Sequence, residues 1–156
     1  QGDWETFYLL TMGLPVSTVL KRELLYIPFF GWALAMLNPI AIDRKRKTNA
    51  LKQLSQQGCE RLNAGISVVI FPEGTRRPPG SLGPCTKGAA MLAHQAGVPI
   101  LPIVQNSGRL SPPHQWVKHS GKVNVRIGQP ISADVSTKQM HAQMVDWMTD
   151  NLAEIS

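Results

Sequence analysis

Nineteen consecutive uncharged residues, "LLYIPFFGWALAMLNPIAI", lie between Glu23 and Asp43. Their number alone would suit a membrane span. Pro28, Gly31, Asn38 and Pro39 interrupt the run, however, and divide it into a helical "FGWALAML" and a short strand-like "PIAI". It therefore reads as a core or membrane-surface segment in preference to a span. Residues 48–64 carry Leu51, Leu54, Cys59 and Leu62 loosely on one side, a helix that Asn63 and Gly65 bring to an end. "ISVVIF" (66–71) is a β-branched strand, apolar on both faces, as in a sheet covered by helices. "TKGAAMLAHQAG" predicts a helix closed by Gly97, "VPILPIV" another apolar strand, and the alternating "KVNVRIG" a strand with one wet face. From Ser136 onward Met140, Met144, Trp147, Met148 and Leu152 recur at helical spacing, a stripe that packs into a core. This succession predicts an α/β fold, a single-domain sheet with flanking helices over residues 1–156.

A chain of 156 residues with 43% hydrophobic and 17% charged content is long enough to bury one core. Sixteen basic against ten acidic residues give a net charge of +6, which favours anionic partners. Basic residues flank the apolar run on both sides: Lys21 and Arg22 before it, "RKRK" at 44–47 after it. That arrangement suits a segment resting on anionic lipid. Cys59 and Cys85 have neither CxxC nor metal-ligand spacing, so they are expected to be free thiols in a reducing compartment. The opening "QGDWETF" has no secretory character and no initiating Met, and the chain is expected to be a piece of a longer protein.

The chemistry concentrates in "FPEGTRRPPG" (71–80), directly after an apolar strand. In open α/β sheets ligands sit beyond the carboxyl ends of strands. Arginine offers a planar fork of donors for phosphate or carboxylate, and Gly74 lets backbone amides approach the same anion. Glu73 is placed to hold an arginine. Asp43 and Arg44 repeat the arrangement after "PIAI", and the two loops are expected to converge on one anion.

"FPEGTR" resembles the third signature block of the glycerophospholipid acyltransferases, the family of 1-acylglycerol-3-phosphate acyltransferases. "NPIAIDR" is similar to the second block, "VPILPI" to the fourth, and "LKRELLYIPFFGWAL" to the stretch before the second. Lys87 with Gly88 matches a Lys-Gly-like position downstream, although Thr86 stands where an aromatic is usual. The family's first motif is His-x4-Asp. A histidine immediately before Gln1 would put Glu5 at the acidic position, a longer carboxylate that still orients an imidazole.

The resemblance implies transfer of a fatty acyl group from acyl-CoA or acyl carrier protein to the hydroxyl of a lysophospholipid, most directly 1-acylglycerol-3-phosphate. The histidine would act as base and Glu5 would orient it. Arg44 and Arg76, with Lys87 or Lys21, would bind the phosphate, and Glu73, Gly74 and Thr75 would shape the cradle. Val98, Pro99, Ile100 and Pro102 would shape the acyl site, and the run 24–42 would hold acyl chains or face the bilayer. No metal or cofactor is expected beyond the acyl donor. The resemblance places the protein at an anionic membrane surface, on the cytoplasmic face.

His141 and Asp146 have His-x4-Asp spacing, but on a helix five residues set their side chains about 140° apart, so both are expected at the surface. His94, His114 and His119 have no motif partner. A nucleic-acid binder would interleave aromatic and basic residues, which a 6% aromatic content does not support, and "GPCTKG" lacks the ending of a P-loop. The remaining alternative is a membrane-associated lipid-binding domain without catalysis.

Overall fold

The computed structural model describes residues 13, 15–43, 47–74, 80, 82–110 and 120–155. They fall into two compact units, one ending at Phe71 and one opening at Pro72.

The first unit is a parallel sheet. Strand β1 (Val16–Lys21) lies in the middle, with β2 (Ile40–Ile42) on one side and β3 (Ser67–Val69) on the other. Val19 pairs with Ile40 and Val16 with Ser67, so the two neighbours engage opposite halves of β1. Parallel pairs need crossovers. The first is a 3-10 turn (Arg22–Tyr26) followed by helix α1 (Phe30–Met36), and the second is helix α2 (Lys47–Asn63), which packs on β2 and β3. Ile40 and Leu54 are buried between them. Side-chain amides of α2 finish the edge of β2: the Asp43 N–H donates to Gln53 Oε1 at 2.9 Å, and Gln57 Nε2 donates to the Ala41 carbonyl at 3.3 Å.

Expectation and observation differ at β1, which no periodicity announces. Ser17 is fully buried there, and its hydroxyl donates to the Asn38 carbonyl at 2.8 Å. A polar residue at a core position masks the strand's alternation. The apolar run 24–42 breaks where its composition indicates, into α1 and β2, with Phe29 and Asn38 at φ 61° and 47°. No helix among the described residues is long and apolar enough to cross a membrane.

Gly31 gives a sharp test of this packing. A Cβ there would sit 2.6 Å from the Leu25 carbonyl carbon and press on the Leu25 oxygen, both backbone atoms. Helix propensity favours alanine over glycine by about 1 kcal/mol. Steric overlap with backbone should reverse that sign, and Gly31→Ala is expected to destabilise the chain by about 1–3 kcal/mol. A urea midpoint that rises instead would show that the Leu25 turn yields.

In the second unit, helix α3 (Gly88–Ala96) ends as its glycine predicts. Gly97 adopts φ 65°, and the Val98 N–H closes on the Ala93 carbonyl at 3.0 Å. Strands β4 (Ile103–Gln105) and β5 (Val125–Ile127) pair antiparallel, and an Ile100–Ile131 bridge extends the ladder. The apolar stretch 98–104 thus forms less strand than expected, because Pro99 and Pro102 have no N–H to donate. Helix α4 (Thr137–Ile155) opens on a capping box: the Gln139 N–H donates to Ser136 Oγ, and the Ser136 N–H donates to Gln139 Oε1. Its stripe of Met140, Met144, Met148 and Leu152 is buried, as the spacing predicts. Met140 packs with Ala90 and Ala93 of α3, and the other three with Val104.

Candidate functional site

The charged turn starts where the second unit does. Glu73 Oε2 accepts the Gly83 N–H at 3.0 Å, and the Pro72 carbonyl accepts the Thr86 N–H at 2.8 Å. These two bonds draw together the ends of the stretch that carries Thr75, Arg76 and Arg77, three residues that lie outside the described ones. Gly74 has φ 65° and open space where a Cβ would be, so what demands glycine there is backbone conformation. Lys87 is exposed at the N-cap of α3, and Gly88 behind it is buried. The chain therefore runs from the tied loop directly into a helix N-terminus, whose free N–H groups favour an anion.

Sequence reasoning assigned Glu73 to an arginine; among the described residues its partner is the Gly83 amide. Gly83 itself was not singled out, and the Gly-Pro-rich "GSLGPC" was its one signal. Cys85 is the other neighbour. Burial pushes its thiol pKa above the ordinary value, and the negative charge of Glu73 pushes it the same way. A raised pKa means that the folded chain holds this proton more tightly than the unfolded chain does. The stability this contributes is fully present below the unfolded pKa near 9.0 and is lost as pH rises through the higher folded value. Wild type should therefore lose urea resistance more steeply than Cys85→Ala as pH rises past 9.0. Equal slopes would disprove the assignment.

In the first unit, Lys21 closes β1 and is exposed; its register partner is Ile42, two residues before Arg44. The parallel pairing brings the carboxyl ends of β1 and β2 level, so Lys21 leaves the sheet beside the end of β2. Arg44 and Glu5 lie outside the described residues.

The four residues expected to shape an acyl site separate. Val98 and Ile100 pack against the core formed by Ala90, Ala93 and Met140, while Pro99 is exposed. Pro102 is buried, accepts the Gly128 N–H at 2.9 Å and lines a cavity of about 350 Å³ with Ile131, Val135 and Trp147. Asp146 is exposed, as expected, whereas His141 is half-buried with Nδ1 buried and unpartnered among the described residues. His94 lies with Nδ1 at 3.2 Å from the Ala133 carbonyl, a contact within the second unit. No group of three or more metal-ligating side chains forms among the described residues.

A parallel sheet with flanking helices, with exposed Lys21 at the carboxyl end of its central strand, defines an α/β protein. The family is shown by comparison: the Acyltransferase family model matches residues 3–106, and the chain belongs to that family. It is 48% identical over 160 residues to the 1-acyl-sn-glycerol-3-phosphate acyltransferase of Pseudomonas aeruginosa, covering 100% of this chain and 62% of that protein. With the 1-acyl-sn-glycerol-3-phosphate acyltransferase of Saccharomyces cerevisiae it shares 35% identity, over 99% of this chain and 54% of the relative. The crystal structure of the 1-acyl-sn-glycerophosphate (LPA) acyltransferase PlsC from Thermotoga maritima superposes with a TM-score of 0.79 at 26% identity. That match covers 99% of this chain and 62% of the PlsC chain. The chain thus spans less than two thirds of the length of these relatives.

Proposed function

We propose that this chain carries the phosphate-binding and acyl-transfer region of a 1-acylglycerol-3-phosphate O-acyltransferase, which makes phosphatidic acid from lysophosphatidate and a thioester. The observation that carries the reading is the tied loop. Glu73 and Pro72 clamp the stretch bearing Arg76 and deliver the chain to Lys87 at a helix N-terminus. In this reading Arg76 and Arg44, with Lys87 or Lys21, bind the acceptor phosphate, and Glu73, Gly74 and Thr75 shape the turn. The histidine of the family's first motif takes the proton of the acceptor hydroxyl as its oxygen attacks the thioester carbonyl. Glu5 fixes that imidazole's tautomer and stabilises the imidazolium. Collapse of the tetrahedral species expels the thiolate, which recovers the proton from the histidine. The new ester is phosphatidate, and the donor leaves as free thiol.

The acyl donor is acyl-CoA or acyl carrier protein, and no further cofactor takes part. Pro102 shapes the acyl site from the cavity it lines, and Val98, Pro99 and Ile100 act on it through the stretch of chain that leads there. The net charge of +6 and the "RKRK" run support work at an anionic membrane surface, on its cytoplasmic face.

The test extends the chain upstream to the expected histidine and supplies lysophosphatidate with each donor. Phosphatidate formation is the expected result. No product with any lysolipid or donor would leave a lipid-binding domain without catalysis.

A further inference from the structure

The first unit carries a surface that water alone does not explain. Tyr26 is 71% exposed, Phe29 78%, Trp32 62% and Met36 83%, with Phe30 and Leu37 also exposed. All six fall within twelve residues, and none of those twelve is charged. Scattered exposed hydrophobics are ordinary, but contiguous ones mark an interaction surface. Helix α1, "FGWALAM", has no polar face at all, a pattern found where a helix is buried or meets lipid. Of its residues only Gly31 is buried. At seven residues the helix is also far too short to span a bilayer.

Phe29 sharpens the case. It sits at φ 61°, a backbone region aromatic residues rarely adopt, and its ring stays mostly in solvent. The ring stacks edge-on against Trp32 with centroids 5.2 Å apart, so two aromatics stand out together from the turn and the helix. Strained conformations of this kind cluster at ligand clamps and other functional sites.

The occupant is identified by composition and by charge. Exposed Lys21 and Arg22 stand four to five residues before Tyr26, with half-buried Glu23 between, and exposed aromatics with basic neighbours match the water–lipid boundary of an anionic bilayer. We infer that Tyr26–Leu37 is an interfacial insertion element, which seats Phe29 and Trp32 at the acyl–headgroup boundary and thereby sets Lys21 at the height of the lipid phosphates. This inference rests on the proposed role of Lys21 in phosphate binding. Only the five-residue 3-10 turn Arg22–Tyr26 separates Lys21 from the start of the apolar segment, so the lysine and the inserted side chains belong to one short stretch of chain. The acceptor would present its phosphate to the sheet without leaving the membrane.

The experiment measures co-sedimentation of the full chain with phosphatidylcholine vesicles, with and without phosphatidylglycerol. It is paired with Trp32 fluorescence, taken as the difference between wild type and Trp32→Phe. Wild type should bind the anionic vesicles, and a Phe29→Ser/Trp32→Ser double variant should bind about tenfold less or weaker still. Because both side chains are largely exposed, the variant should keep the wild-type thermal midpoint; if it does not, the fluorescence arm alone decides. There, a spin label near the lipid carbonyl should quench Trp32 more than a label at the chain terminus. Equal vesicle binding by variant and wild type, no binding by either, or no quenching of Trp32 would overturn the inference. Self-association that hides Trp32 and is abolished in the double variant would also overturn it, in favour of a second copy of the chain. Vesicle binding is independent of turnover, so loss of acyl transfer with insertion intact would count against the proposed reaction alone.

Discussion

Arg76→Ala, in a chain extended upstream to the expected histidine, should lower kcat/KM for lysophosphatidate by about a hundredfold or more, equivalent to about 2.7 kcal/mol of transition-state binding. The size follows from geometry. A guanidinium offers two parallel N–H bonds to a phosphate, each charge-assisted and strengthened where water is excluded. Lysine keeps the charge and loses the fork, so Arg76→Lys should recover only part of the activity. The decisive comparison uses an acceptor without phosphate. If Arg76 reads the phosphate, wild type should prefer lysophosphatidate over monoacylglycerol and Arg76→Ala should lose most of that preference. An equal fall on both acceptors would place Arg76 in the chemistry, or in holding the loop, instead of in recognition. Glu73→Gln separates those two outcomes. Its amide oxygen can still accept the Gly83 N–H, so it should stay far more active than Glu73→Ala, which releases the loop.

What the sequence made legible depended on whether local pattern and tertiary demand agreed. At α4 they did. Methionines at helical spacing formed the buried stripe, and Ser136 with Gln139 closed the helix start. At Gly97 the requirement for positive φ and the end of the apolar helix coincide. At β1 they did not. A buried Ser17 bonded to a carbonyl twenty-one residues away has no signature in a window of neighbours, so the central strand of the sheet went unread. The same holds for Glu73, whose partner Gly83 lies ten residues on and is reached only through the fold. Motif order pointed to the family, and the family model confirmed it. Prolines shortened the stretch 98–104 because a ladder needs donors that apolar content does not supply. The exposure of Tyr26–Leu37 was half legible: the sequence showed the segment to be apolar and broken, and the structure showed which of its side chains stand in the open.

Met140→Ala should be the most destabilising single truncation in the second unit, at about 3–5 kcal/mol within the range for large-to-small core changes. Met140 is completely buried, so no part of its side chain is already in water. Its buried neighbours across the helix pair are Ala90 and Ala93, which allow α3 and α4 to approach closely. An alanine has no side-chain rotamer to swing into a vacated space, so the cavity left by the truncation would stay largely open. Val98, Ile100 and Ile131 border the same cluster and are only partly buried, but β-branched side chains are stiff and fill such gaps poorly. Met91, on α3 and 44% exposed, is the control: Met91→Ala should shift the urea midpoint by far less, about 0.5 kcal/mol. Similar losses for the two variants would mean that the α3–α4 seam collapses readily around the missing side chain. A large loss at Met140 alone would establish that this seam holds α3 in place, and with it the helix N-terminus to which the Glu73-tied loop delivers Lys87.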